Sequence, residues 1–190
     1  MRQSIRNSLY FLIGLLGFKS LPAAAATQMF LCSTDTELEG EATDDNHKGC
    51  IDVLAWSWGA SSSGTTHTGA GGEPGRVGFN DLSVTKWVDK ASPNVMKLIA
   101  NGDHIKEVEL LNLKQSCCDK LPFEYYTIKM VNVIVTSVAV GGSAGEDRLT
   151  ENISLNFSKF QYCYTEQSGD DGSPGALECF EWDIATNQDP

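Results

Sequence analysis

Histidine is scarce in this chain: His47, His67 and His104 are the only three among 190 residues, and they lie far apart. Few imidazoles are therefore on hand to hold a metal or to serve as a general base near neutral pH. Cations are also in short supply, 14 Lys and Arg against 25 Asp and Glu, for a formal charge of −11. A chain this acidic repels phosphate, so no nucleic-acid partner is expected. No C-x-x-C pair with a matching His occurs, which argues against zinc. No nucleophile stands beside a spaced base, so the chain reads as a non-enzyme without cofactor or metal. Past Phe18 no apolar run is long enough to cross a bilayer, and stable membrane insertion is not expected.

What is present begins with a leader. Met1–Ser8 carries Arg2 and Arg6 and no acid, Leu9–Phe18 is an apolar run, and Ser20–Ala26 ends in small residues. This is the three-part plan of a cleavable signal peptide, with cleavage after Ala25 or Ala26. Residues 1–26 are thus read as signal and 27–190 as one domain. Removing the leader takes away Arg2, Arg6 and Lys19 and no acid, so −11 becomes −14. The expected location is secreted or periplasmic. If translation instead begins at Met29, the product starts in the cytoplasm.

In the remainder, alternation of period two dominates over glycine-rich turns, the pattern of an antiparallel β fold. Strands are expected at 27–32, 51–58, 77–88, 105–113, 125–140, 150–164 and 176–184. Ser92–Pro93 reads as an N-cap with proline in the first turn of a short helix ending at Gly102. Val95, Met96, Leu98 and Ile99 supply its apolar stripe. In 51–58, Leu54, Trp56 and Trp58 fall on one face and Ile51, Val53 and Ala55 on the other. The apolar phase slips near Val131–Asn132 and again at Ser158–Lys159, where a bulge or a change of sheet is expected. Residues 34–49 are acid-rich and read as a solvated loop. Residues 60–76 form a long Gly/Ser/Thr stretch without a large apolar side chain, the kind of loop that is functional or ordered by a partner.

Export would place the cysteines where pairing is the default. Cys163 and Cys179 lie eight residues either side of Asp171, and Cys32 and Cys50 lie nine either side of Glu41. Symmetric hairpins would pair each set. Cys117 and Cys118 are adjacent, and a vicinal disulfide, a bond between subunits and free thiols all stay open. Glu146, Asp147 and Glu151 flank Arg148, which reads as a turn held by charge pairing rather than as an acid/base site. Gly69–Gly75 lacks the Lys-Ser/Thr of a phosphate loop. Trp56 and Trp182 sit in alternating apolar sets and are assigned to the core.

Four ordered motifs carry a resemblance: Ile51–Gly59 (IDVLAWSWG), Gly78–Lys90 (GFNDLSVTKWVDK), Ser92–Met96 (SPNVM) and Gly141–Phe157 (GGSAGEDRLTENISLNF). In order and spacing the chain resembles the haemolysin-coregulated protein (Hcp) family of the type VI secretion system, over about residues 28–184. The resemblance implies a mainly β fold: an antiparallel barrel or two packed sheets with one short flanking helix. It also implies six-membered rings of the chain with itself, stacked into a tube that carries effectors and meets a spike and a sheath. The extended loop, with Gly59, Ser61, Gly64, His67, Gly71 and Gly75, would serve ring stacking. Gly141, Gly142, Glu146, Asp147 and Arg148 would form the turn of the family motif. A leader and six cysteines are unusual for a tube assembled in the cytoplasm. A second reading is therefore an exported monomeric module with this scaffold, binding a surface glycan or protein.

Overall fold

The computed structural model describes residues 27–35, 38–62, 77–116, 121–168 and 172–190. Within them the chain forms nine strands and one helix: β1 (Gln28–Ser33), β2 (Ile51–Ser57), β3 (Ala60–Ser62), β4 (Val77–Phe79), β5 (Leu82–Trp87), α1 (Ser92–Asn101), β6 (His104–Lys114), β7 (Phe123–Gly141), β8 (Thr150–Ser168) and β9 (Ser173–Asp183). The main sheet runs β5-β2-β1-β6-β7-β8-β9, and β5 also pairs with β8. That last pairing closes six antiparallel strands into a barrel and leaves β9 as an added strand. Closure removes the open edges that a small sheet would otherwise expose.

One edge of β8 serves two partners. Thr150–Leu155 pairs with β5, and Lys159–Ser168 pairs with β9. The change of partner falls where the apolar phase slips, and the slip is not confined to one strand. Ile105, Val133 and Phe157 form one buried row, and Val108, Met130 and Phe160 form the next. Between them lie two successive outward levels instead of one. Asn132 takes the left-handed conformation there (φ 55°), and its Oδ1 accepts a 2.7 Å hydrogen bond from His104 Nδ1. Ser158 Oγ donates to the Val131 carbonyl at 3.2 Å. Because β6, β7 and β8 all shift at one level, the register survives while every side chain changes face. The barrel spans this line, with β1 pairing β6 on one side of it and β5 pairing β8 on the other, and both buried rows belong to one core.

In β2 a register irregularity between Val53 and Ala55 has a similar effect. Ile51 and Val53 are buried before it, and Trp56 and Trp58 pack against the core after it, while Leu54 is exposed. The strict two-face alternation expected for this strand is therefore corrected by the bulge. The strand expected over 77–88 is two, β4 and β5, separated at Asn80–Asp81.

Helix α1 ends as expected at Gly102, whose φ of 71° is left-handed and whose N–H bonds to Leu98 O. Its start differs. Ala91 is the N-cap, without a side-chain cap, and Ser92 is the first helical residue. The Ser92 hydroxyl is committed elsewhere, to the buried pair Lys86 and Glu151. Val95 and Leu98 are buried, whereas Met96 is exposed.

The acid-rich segment is not a solvated loop. It sends Leu38 into the main core, then folds back over the outer face of β1 and β6, burying Ala42 and stacking His47 on Phe30 at 4.7 Å. Ala42, Phe30, Leu111 and Leu113 make a second, smaller core. Gly40 is essential to this lid, because a Cβ there would run into Cys50 O and Ile51 Cα. Glu39, Glu41 and Asp45 are exposed on this lid, so its composition hid the packing beneath.

Candidate assembly surfaces

The long loop springs from a two-stranded ladder in which Ala60 faces Phe79, Ser61 faces Gly78 and Ser62 faces Val77. Its root is held by rings: Trp58 stacks on Phe79 at 6.0 Å and meets Phe160 edge-on at 4.8 Å. Trp58 Nε1 donates to Asn80 O at 2.9 Å, and Asn80 N donates to Gly59 O at 2.9 Å. Asp81 accepts from Thr136 Oγ1 (2.6 Å) and Asn156 Nδ2 (2.7 Å), tying the root to β7 and β8. Gly59 and Ser61 therefore stand at a rigid base. Gly64, His67, Gly71 and Gly75 lie outside the described residues, as do Cys117 and Cys118.

A second surface is the apron formed by β9 with the far half of β8. Residues 174–181 are exposed along their whole length. Leu177 is 62% exposed, Phe180 48% and Tyr164 45%. Phe180 and Tyr164 share a face, because Tyr162 opposes Phe180 and Tyr164 opposes Glu178. Leu177, opposite Thr165, points to the other face. Cys163 and Cys179 oppose each other and are bonded, with Cα atoms 4.2 Å apart. Large apolar side chains on a long unpaired edge mark a surface suited to association.

The turn between β7 and β8 is the third feature. Gly145 is left-handed there (φ 99°), and Gly142 lies against the Leu149 side chain, where a Cβ would collide. The charge pairing expected in this turn is replaced: among the described residues no ion pair joins Arg148 to Glu146, Asp147 or Glu151. Arg148 lies over the Trp87 ring, 5.0 Å from its centroid. Glu146 and Asp147 are exposed, while Glu151 turns into the barrel.

The inward Glu151 belongs to a buried polar cluster. Lys86 Nζ reaches Glu151 Oε2 at 2.9 Å, Asp89 Oδ1 at 2.8 Å and Ser92 Oγ at 3.0 Å. Ser92 Oγ donates to Glu151 Oε2 at 2.8 Å. These bonds join β5, β8 and the start of α1. Sequence reading missed the cluster, although Lys86 continues the inward alternation Leu82, Val84, Lys86. It also missed His47, whose Nδ1 meets Asp44 Oδ1 at 2.7 Å and whose Nε2 meets Glu124 Oε1 at 3.3 Å.

Shifted ionisations follow such local pairings. The hydrogen bond from Lys159 holds Asp183 down at about 2, helped by the Thr186 N–H. His47 lowers Asp44, and Glu107 raises Lys129 through hydrogen bonds. Burial, then Tyr162, pushes the Tyr126 hydroxyl upward. Trp56, assigned to the core, stacks on Tyr126 at 5.3 Å and donates to Asn112 Oδ1 at 2.8 Å. Among the described residues no three His, Cys, Asp or Glu side chains are grouped to hold a metal. No described helix is long and apolar enough to cross a membrane.

Comparison with known proteins places these features in context. The family model described as type VI secretion system effector, Hcp, matches residues 30–164. The protein hcp1 of Pseudomonas aeruginosa is 43% identical over 162 residues, 85% of this chain and 98% of that protein. A solved structure of a type six secretion system protein superposes with a TM-score of 0.78 at 30% identity, covering 87% of this chain and all (100%) of that one. Hcp1 from Salmonella typhimurium gives a TM-score of 0.69 at 31% identity, covering 87% and 99% of the two chains.

Proposed function

Because the chain belongs to the Hcp family of type VI secretion system proteins, we propose that it acts as a ring- and tube-forming subunit rather than as an enzyme. The observation that carries this reading is the match over nearly the full length of hcp1. In this reading each subunit joins the next head to tail, closes a six-membered ring, and stacks through the loop that includes Gly59, Ser61, Gly64, His67, Gly71 and Gly75. The rigid root under Gly59 and Ser61 supports that role, since a loop held at both ends presents itself to a neighbour at lower entropic cost. Effectors are the cargo, and spike and sheath proteins are the further partners. The turn containing Gly141, Gly142, Glu146, Asp147 and Arg148 serves in this reading as the turn of the family motif.

Residues 1–26 act as an export signal in this proposal, and residues 27–190 form one domain that matures in a secreted or periplasmic setting. The disulfides Cys32–Cys50 and Cys163–Cys179 suit that compartment. A start at Met29 would remove only Gln28 from β1 and would leave assembly to the cytoplasm.

Native mass spectrometry of the exported product tests both parts. A six-fold assembly is expected, with an N-terminus at Ala26 or Thr27. A monomer at micromolar concentration would overturn ring formation and favour the exported binding module. An N-terminus at Met29 would overturn the export signal.

A further inference from the structure

The barrel is closed least securely between β1 and β2. There Phe30 faces Asp52 and Leu31 faces Ile51, and among the described residues the ladder extends no further. Its neighbours are longer: β1–β6 runs from Gln28/Leu113 to Ser33/Val108, and β2–β5 from Val53/Lys86 to Ser57/Ser83. A closed sheet opens most readily where fewest backbone hydrogen bonds hold it.

Directly beyond the Leu31/Ile51 pair, Cys32 is bonded to Cys50, with Cα atoms 4.6 Å apart. The disulfide is the covalent end of this short seam. The lid starts and finishes at the same two residues. Within it, Gly40 N bonds Gly49 O at 2.7 Å, Ala42 N bonds Cys50 O at 2.9 Å and Gly49 N bonds Ala42 O at 3.1 Å. Both cysteines also pack against the second core of Phe30, Ala42, Leu111 and Leu113. One bond thus fastens the seam, the lid and the small core together.

We propose that Cys32–Cys50 is a redox latch: closed, it holds the β1–β2 seam and the lid, and its reduction by a dithiol opens both while the rest of the barrel stays folded. The dithiol gives up two electrons and two protons and leaves as a disulfide, and Cys32 and Cys50 each become a thiol. Opening uncovers Phe30, Leu111 and Leu113 and frees the facing edges of β1 and β2. The other disulfide is not equivalent. Cys163 and Cys179 sit inside a ladder that continues on both sides, from Lys159/Asp183 to Ser168/Ser173, so the strands remain paired without it. The physiological meaning rests on the export reading: a chain that leaves a reducing compartment closes the latch only on arrival.

The test is hydrogen exchange of the full gene product, recovered from an oxidising compartment, with and without excess dithiothreitol. Two variants accompany it, Cys32→Ser/Cys50→Ser and Cys163→Ser/Cys179→Ser. Reduction is expected to speed exchange at residues 30–31 and 40–51 by on the order of 100-fold, the effect of releasing a loop of this length. Residues of β7 and β8 should be unchanged. The first variant should exchange fast at the seam without the reagent and not respond to it there, and the second should respond like the parent. Reduction of the parent protein needs no variant to fold and is decisive by itself. The latch is overturned if seam exchange stays within about two-fold on reduction, or if all strands accelerate together. The N-terminal mass of the exported product reports separately on export, so failure of one reading does not disguise failure of the other.

Discussion

Lys86 Nζ lies 2.9 Å from Glu151 Oε2, and neither side chain is reached by solvent. The two residues face each other across β5 and β8, the pairing that closes the barrel. Asp89, 2.8 Å from the same ammonium, brings a second carboxylate to the site. Replacing Lys86 by Met leaves both carboxylates in a dry interior without their cation. The expected loss is about 3–5 kcal/mol in urea unfolding. Replacing Lys86 and Glu151 together by apolar residues should recover part of it. An equal or larger loss in the double variant would show that the pair acts through packing and not through charge. Lys90–Glu39, at 2.6 Å but open to water, should respond to mutation only slightly and in a salt-dependent way.

Two glycines separate folding from assembly. Gly40→Ala places a methyl group against Cys50 O and Ile51 Cα and forces the lid backbone to shift. A cost of about 1–3 kcal/mol is expected, read as a lowered melting temperature. At Gly59 an added Cβ meets Asn80 Nδ2 at 3.9 Å, an ordinary contact. Gly59→Ala should melt like the parent, and any change it causes should appear in the oligomeric state.

Acid should loosen the C-terminal tail before the barrel. Asp183 has a folded pKa of about 2 against an ordinary 3.8. A depressed value means that its stabilisation is fully present above 3.8 and is lost as pH falls towards 2. Asp183 Oδ1 accepts from Thr186 N at 2.9 Å, and its backbone pairs with Gln188. Amides of residues 184–190 should exchange faster through that window. Lys159→Met should move the window up towards 3.8, and an unchanged window would remove the lysine from the explanation.

The apron can be tested without disturbing the core. Leu177 is 62% exposed, so Leu177→Lys should alter stability by no more than about 0.5 kcal/mol. If β9 takes part in assembly, the same change lowers the assembled fraction in native mass spectra. An undiminished assembly would assign the subunit contact elsewhere.

Trp58 anchors the loop root. Trp58→Ala removes contacts with Phe79, Phe157 and Phe160 and should cost about 3 kcal/mol. Near-ultraviolet circular dichroism should lose aromatic signal while the far-ultraviolet β signal persists.

Much of this was legible in order along the chain. Alternation located the long strands, Gly102 marked the helix end, and the motifs from Ile51 to Phe157 carried the family. The phase slips at Val131–Asn132 and Ser158–Lys159 were also visible. Their common cause was not, because a single strand does not reveal that its neighbours shift at the same level. The lid was misread because acids dominate residues 34–49, and composition reports the outer side of a thin layer as readily as the inner one. Leu38, Ala42 and His47 were too few and too widely spaced to give a period.

The sequence by itself determined the antiparallel β class, the helix that ends at Gly102 and the hairpin spacing that brings Cys163 to Cys179. These are local or nearly local properties, set by side-chain period and turn chemistry. Tertiary structure alone decided that β5 returns to β8, that Ser92 serves Lys86 and Glu151 instead of capping its helix, and that Cys32–Cys50 lies at the end of the short β1–β2 ladder. Each of those depends on residues distant in the chain meeting in space, and which polar group a buried charge finds is settled only when the barrel closes around it.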